Sequence, residues 1–258
     1  MDLWGIILMI FIPIILVLSF SIVIKIKRED IKLTKKIPKI LICGIHGKMG
    51  SYLATALSCK YQIIGFDQKN QPCKWPVFTD LEDAVMEDLD LVIDFTVADV
   101  SKGLIKELLL AGIPVISGTT GINQKDMMEL VQLAKVNNVS FVSLVNFTFG
   151  IKIIYDWLKE NIKGYQVLLA ESHHESKKDA PSGTAKLLAD LVGIDTNQIE
   201  VERTKDYQVK HKIKLIGKGE EITITHQIND KEAYLFLILT YIEKVLTKKI
   251  IEVNYQRF

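Results

Sequence analysis

The chain has 258 residues, 48% of them hydrophobic, with 32 Lys plus Arg against 31 Asp plus Glu and a net charge of +1. That balance lacks the basic footprint of a nucleic-acid partner. Its three cysteines, Cys43, Cys59 and Cys73, are odd in number and form no C-x-x-C pair. They read as reduced thiols of a cytosolic domain, with neither a disulfide framework nor a zinc cluster.

Residues 3–24 carry no charge. A helix of that length rises about 33 Å, enough for a bilayer core. Asp2 precedes the block, and Lys25, Lys27 and Arg28 follow it, which places the rest of the chain in the cytoplasm by the positive-inside rule. Trp4 stands where an interfacial aromatic belongs, and Pro13 is tolerated in a spanning helix. There is no basic n-region or small-residue cleavage site of a signal peptide. The block reads as a transmembrane helix over 1–24; the alternative is that it is absent from the working protein. Residues 25–38 read as a charged linker near the membrane surface.

From residue 39 the pattern becomes alternating. Apolar runs at 39–44, 61–67, 90–96, 113–120 and 139–144 are separated by helical spacing at 47–57, 98–111 and 123–137. Strands alternating with helices predict a parallel sheet with right-handed crossovers, and strands apolar throughout predict that both faces are covered. After residue 147 the order changes. A helix is expected over 148–162, a strand over 166–172 and a helix from about 183. Two period-2 strands, 210–216 and 221–226, follow, joined through G-K-G as a hairpin, and a last helix spans about 231–247. The fold class is α/β, with a Rossmann-like dinucleotide-binding domain over 39–147 and a smaller α+β substrate-binding domain over 148–230. Residues 231–258 form a C-terminal helical segment returning to the first domain.

Between the first strand and first helix lies G44-I-H-G47-K-M-G50. Glycines there permit a tight turn and close approach of a pyrophosphate, and the helix start supplies N–H donors and a positive dipole end. Asp67 closes the second strand, where an acid accepts from an adenosine ribose. It disfavours a 2′-phosphate while Lys48 and Lys69 tolerate one, so NADH and NADPH both remain open. The loops Asp94–Thr96 and Ser117–Thr120 leave strand ends on the same sheet, where ligands of such sheets bind.

Residues 171–185, E-S-H-H-E-S-K-K-D-A-P-S-G-T-A, gather two histidines, two lysines and a helix start. Adjacent histidines on an extended strand face opposite sides, and no H-x-x-x-H or cysteine partner lies nearby, so no metal site is expected. The lysines suit an anion such as a carboxylate. Ser182, or the turn at Asp179, caps the following helix, and the N–H groups of Gly183 and Thr184 in its first turn bind carboxylates. One of the histidines, titrating near neutrality, suits a proton donor.

These segments, with I-D-F-T (93–96), S-G-T-T-G (117–121) and V-N-F-T-F-G-I (145–151), occur in one order that resembles the 4-hydroxy-tetrahydrodipicolinate reductase family of diaminopimelate and lysine biosynthesis. The H-H-x-x-K-x-D-A-P-S-G-T-A signature is highly specific, and the resemblance covers residues 39 to about 245. It implies reduction of a cyclic imine dicarboxylate with NADH or NADPH and loss of water, and assembly as a homotetramer. By position, it makes His173 the proton donor, with Lys177 assisting. His174, Gly183 and Thr184 match contacts to the dicarboxylate substrate. Gly44, Ile45, His46, Gly47, Lys48, Met49, Asp67, Gly118, Thr119, Thr120, Leu144, Val145, Asn146 and Phe147 match cofactor contacts. No metal is implied.

Departures from the family pattern stand at Arg203-Thr-Lys-Asp, which lacks two glycines, at Lys231 and Lys48, where arginine is usual, and in the C-terminal residues. With the N-terminal block, they motivate a second reading: a membrane-tethered, catalytically weak relative serving as a dinucleotide sensor or scaffold. A pure binding module has no need of His173, Lys177, Gly183 and Thr184, which favours the enzyme.

Overall fold

Strand β1 (Lys39–Cys43) lies in the interior of an eight-stranded sheet, and Ile40, Leu41, Ile42 and Cys43 are all fully buried. The computed structural model describes residues 36–258 apart from Asn70, Ser176, Lys178, Asp206 and Tyr207. The expected transmembrane helix and most of the linker after it lie outside the described residues. Among the described residues, no helix is long and apolar enough to cross a membrane.

β1 pairs in parallel with β2 (Gln62–Phe66) on one side and β4 (Leu91–Asp94) on the other. Then come β5 (Val115–Ser117) and β6 (Phe141–Ser143) beyond β4, and the two-residue β3 (Val77–Phe78) beyond β2. The register aligns the carboxyl ends: Cys43 lies opposite Phe66 and Asp94, and Asp94 and Ser143 both lie opposite Ser117. All the loops suspected from sequence therefore leave the sheet on one side.

Alternate residues of β1 feed two cores. Ile40 and Ile42 pack with Leu53 and Leu57 of α1 (Lys48–Leu57). The C-terminal helix, which is α7 (Glu232–Thr247) in chain order, adds Leu237 and Tyr241 to that cluster. Leu41 and Cys43 face the other way. They meet Leu104 and Leu108 of α3 (Ala98–Leu110), which follows the short α2 (Leu81–Val85), and Leu130 and Val131 of α4 (Gln124–Val136). Each such leucine taken out of water contributes roughly 1.5–3 kcal/mol. This two-sided burial is what the unbroken apolar runs imply.

The second sheet has four strands in the order β10 (Glu221–Ile228), β9 (Val209–Ile216), β7 (Gln166–His174) and β8 (Glu200–Thr204). β7 (Gln166–His174) alternates in burial: Val167, Leu169, Glu171 and His173 turn inward, and Leu168 turns outward at 45% exposure. The inner face is covered by α5 (Phe149–Asn161) and α6 (Gly183–Val192), which pack Ile151, Leu158, Leu188 and Ala189 against Ile213 and Leu215. β9 (Val209–Ile216) and β10 (Glu221–Ile228) form the expected hairpin, with Gly219 at φ +83° in its turn.

Several elements escaped the sequence pattern. β8 (Glu200–Thr204), with sequence E-V-E-R-T, carries two acids and an arginine. β11 (Ile251–Val253) and β12 (Gln256–Arg257) extend the large sheet past β6. Glu252 interrupts β11, and its buried carboxylate accepts from the Tyr241 hydroxyl. A charge in the middle of a three-residue strand hides it from any apolar period.

Candidate active site

Gly44 leaves β1 at φ +78°, and a Cβ there would stand 2.7 Å from the Phe95 carbonyl oxygen. A Cβ on Gly50 would lie 2.1 Å from the Gly44 carbonyl oxygen. Both positions therefore demand glycine. Helix α1 begins at Gly47 with no side-chain cap and no acid in its first turn. Its first N–H groups and positive dipole end thus face outward for an anion. Asp67 follows β2, and its Oδ2 accepts from the His46 N–H at 3.2 Å and its Oδ1 from the Lys69 N–H at 3.3 Å. A cleft of about 180 Å³ opens between Gly44, Asp67, Lys69 and Thr96. Tight glycine turn, uncapped helix and carboxylate together fit a dinucleotide.

Asp94, fully buried at the end of β4, ties the neighbouring loops together. Its carboxylate accepts from Ser117 Oγ at 2.7 Å, Thr119 Oγ1 at 2.9 Å, Ser101 Oγ at 2.5 Å, and the Thr96 hydroxyl and N–H at 2.6 and 3.0 Å. Gly118 lies on the Phe95 ring so closely that a Cβ would approach it to 2.3 Å. Among the residues matched to cofactor contacts, Ile45, Leu144 and Phe147 bury their side chains in the core, leaving only their backbone to a ligand. Lys48 is exposed, and its carbonyl accepts from Lys231 Nζ at 3.0 Å, so Lys231 braces the glycine turn. The loop after β6 is held by residues that the sequence reading did not single out: Val145 N–H donates to Asn254 Oδ1 at 3.1 Å, and Tyr255 Oη donates to the Asn146 carbonyl at 2.6 Å. Asn254 and Tyr255 have φ +46° and +68° in a turn between β11 and β12, where asparagine is the one recognisable signal.

On the second sheet, Glu171 is the centre of the constellation. Its Oε1 accepts from the Ser182 N–H at 2.9 Å and meets Arg203 Nη1 at 3.4 Å. Its Oε2 lies 3.3 Å from His173 Nε2. Burial alone pushes this carboxyl up, but His173 and the Ser182 hydroxyl and N–H outweigh it and hold the pKa at about 2. His211 reaches the same place from β9, cross-strand from Glu171, with its ring 5.6 Å from that of His173. Burial and the neighbouring His173 and His226 push His211 down to about 3, so it is neutral. Glu171, His173 and His211 each offer a donor atom within 4.8 Å of the others. Metal ligands can be spaced like this, and a reading confined to neighbouring positions could not see it. The Arg203 guanidinium and Lys177 already bring positive charge to the pocket.

His174 lies on the alternate face of β7 and is half-buried. Lys177 Nζ pairs with Asp179 Oδ1 at 2.8 Å, which holds the Asp179 carboxyl below its usual value against the upward pull of burial. Ser182, rather than Asp179, caps α6, its Oγ accepting from the Ala185 N–H at 3.2 Å. Gly183 and Thr184 occupy the first turn, where a helix provides no carbonyl for its N–H groups. That turn abuts the other sheet's loops. A Cβ on Gly183 would meet Thr120 Cγ2 at 3.2 Å and Val145 Cβ at 3.4 Å, and Asn146 Nδ2 donates to Thr184 Oγ1 at 3.0 Å. A cleft of about 500 Å³ lies between Thr120, Val145, Asp179 and Gly183.

Two family models cover most of the chain: dihydrodipicolinate reductase, N-terminus, over residues 38–147, and dihydrodipicolinate reductase, C-terminus, over residues 150–254. The chain belongs to the dihydrodipicolinate reductase family. A 4-hydroxy-tetrahydrodipicolinate reductase of Caldanaerobacter subterraneus subsp. tengcongensis is 30% identical over 76% of this chain and 88% of its own length. The enzyme of that name from Methanocaldococcus jannaschii is 26% identical over 82% and 93%. The dipicolinate-bound dihydrodipicolinate reductase of Paenisporosarcina sp. TG-14 shares the fold, with a TM-score of 0.71 over 84% of this chain and 97% of that one, at 21% identity. The C-terminal match runs through β8 despite the missing glycines, and through β11 up to Asn254.

Proposed function

We propose that this chain reduces 4-hydroxy-tetrahydrodipicolinate to tetrahydrodipicolinate, with NADH or NADPH, in diaminopimelate and lysine biosynthesis. The observation that carries the site assignment is the close packing of Gly183 and Thr184 against Thr120, Val145 and Asn146. It brings a carboxylate-binding helix start and a histidine–carboxylate pair beside the loops of a dinucleotide sheet.

The cofactor supplies a hydride to the electrophilic C=N system of the substrate. Asp67 receives the adenosine ribose, and the N–H groups of the Gly44–Met49 turn receive the pyrophosphate. Loops Gly118–Thr120 and Leu144–Phe147 flank the nicotinamide. Gly183 and Thr184 hold a substrate carboxylate through their N–H groups, with Lys177 and His174 as further partners. His173 delivers the one proton that balances the hydride, passing from imidazolium to imidazole, and the substrate hydroxyl leaves as water. Residues 39–147 together with 231–258 hold the cofactor, and 148–230 hold the substrate. The outer face of the second sheet, with Leu168 and Val201 exposed, is the surface for a homotetramer. The uncharged block 3–24 anchors the catalytic part on the cytoplasmic side of a membrane.

The test is oxidation of NADH and NADPH by the full-length chain with freshly generated substrate. Turnover that falls by about 10²-fold or more in His173→Gln supports the reading. Cofactor binding without turnover supports a dinucleotide sensor instead. Fractionation of native cells checks the anchor, since a freely soluble, shorter product defeats it.

A further inference from the structure

The Glu171 carboxylate touches three things at once: the imidazole of His173, the N–H of Ser182 that caps α6, and the guanidinium of Arg203. We propose that Glu171 and Arg203 are positioning residues that act as an opposed charge couple on His173. Glu171 holds the imidazole proton and fixes its distance from the carboxylate-binding start of α6, and Arg203 limits how tightly that proton is held. This rests on the reading of His173 as proton donor.

Geometry supports the couple from both sides. Glu171 and His173 are two residues apart on β7, so both project inward, and Arg203 of β8 lies directly opposite His173 in the register. The Glu171 side chain is wholly buried, whereas that of Arg203 is 22% exposed. Arg203 Nη2 also donates to the Asp179 carbonyl at 2.6 Å, so the same guanidinium anchors the loop that leads to Ser182. A buried carboxylate this near an imidazole favours a proton between them, and a nearby cation opposes it. Among the described residues, Glu171 Oε2 and His173 Nε2 have no hydrogen-bond partner beyond one another, at 3.3 Å, and buried polar atoms left this way call for a role.

Other charged or titratable groups face the same imidazole. His211 from β9 is neutral and backed by His226 of β10, their Nδ1 atoms 3.3 Å apart. Lys177 and Asp179 in the loop offset one another as a pair. α6 contributes Ser182, which is uncharged. Among the described residues, Glu171 and Arg203 therefore form a second opposed pair at this imidazole, 3.4 Å apart.

The pH dependence of kcat for the full-length chain tests the couple, because its alkaline limb marks loss of the donor's proton. Glu171→Gln keeps an oxygen for Ser182 and removes the charge. It is expected to move that limb down by about 1–3 pH units, with kcat at neutral pH falling more than KM rises. Arg203→Met is expected to move the limb the opposite way, and Arg203→Lys to restore it. A merely structural role lowers activity at all pH without moving the limb, and that result overturns the proposal. Arg203→Met moving the limb downward overturns it equally, so the test stands even where Glu171→Gln does not fold. A limb that persists unchanged in His173→Gln defeats the donor assignment itself.

Discussion

Asn146 Nδ2 donates to Thr184 Oγ1 at 3.0 Å, between two side chains each 6% exposed. One residue belongs to the loop after β6 and the other to the first turn of α6. The same asparagine accepts from the Thr148 N–H at 2.7 Å, so it fixes the start of α5 as well.

Asn146→Ala is expected to strand the Thr184 hydroxyl and the Thr148 N–H. An unsatisfied buried group costs about 1–3 kcal/mol. Thermal unfolding reads that loss. Thr184→Val, by contrast, keeps the volume and the N–H that meets the carboxylate, and it strands only the Asn146 amide. It is expected to lower the melting temperature by less than Asn146→Ala, and a larger drop refutes that ranking.

Asp94→Asn places an amide N–H₂ against hydroxyls that now donate to a carboxylate. Two or more bonds are lost or reversed, and stability is expected to fall by about 2–4 kcal/mol. Because the Thr96 and Thr119 loops are pinned by this group, cofactor affinity is expected to fall with it. Denaturant titration and cofactor titration are the two measurements, and intact affinity in the variant contradicts the pinning.

Two glycines give opposite expectations for one substitution. Gly50→Ala drives a methyl into the Gly44 carbonyl and is expected to weaken dinucleotide binding by about tenfold or more, the equivalent of at least 1.4 kcal/mol. Gly103, in the middle of α3, is exposed and has open space around it. Gly103→Ala is expected to raise stability by about 0.5–1 kcal/mol.

Two buried groups of the site contribute to acid unfolding, over windows that overlap below pH 4.5. His211 is kept neutral by burial, so stability is full above its unfolded value near 6.5 and drains as pH falls toward about 3. Glu171 is held ionised, so its contribution is full above its ordinary value of 4.5 and drains as pH falls toward about 2. His211→Gln is expected to flatten the stability curve from pH 6.5 down to about 3, including the range above 4.5 that Glu171 does not reach; Glu171→Gln flattens it only below 4.5. Melting temperatures measured across that range decide it.

The glycine turn, the parallel order of strands and a helix start near residue 183 were all legible in the sequence, because each follows from local spacing; the choice of Ser182 over Asp179 as its cap came from the structure. Glu171 stands in the same segment as that helix start, residues 171–185, and nothing local gave it a role. Its meaning comes from Arg203 and His211, which reach it from strands distant in sequence. Asn254 and Tyr255 were silent for a similar reason: they close the loop after β6 from the far end of the chain. Long-range partners leave no period to read.

The two adjacent histidines also bear on how β7 tolerates error. A slip of the strand by one residue would exchange its faces and carry His174 into the place of His173. An imidazole would still sit inside, so the histidines alone do not protect the register. Ser172 would then occupy the place of Glu171, leaving the Ser182 N–H and the Arg203 guanidinium without their carboxylate. The carboxylate thus makes a misthreaded strand energetically distinguishable from the correct one.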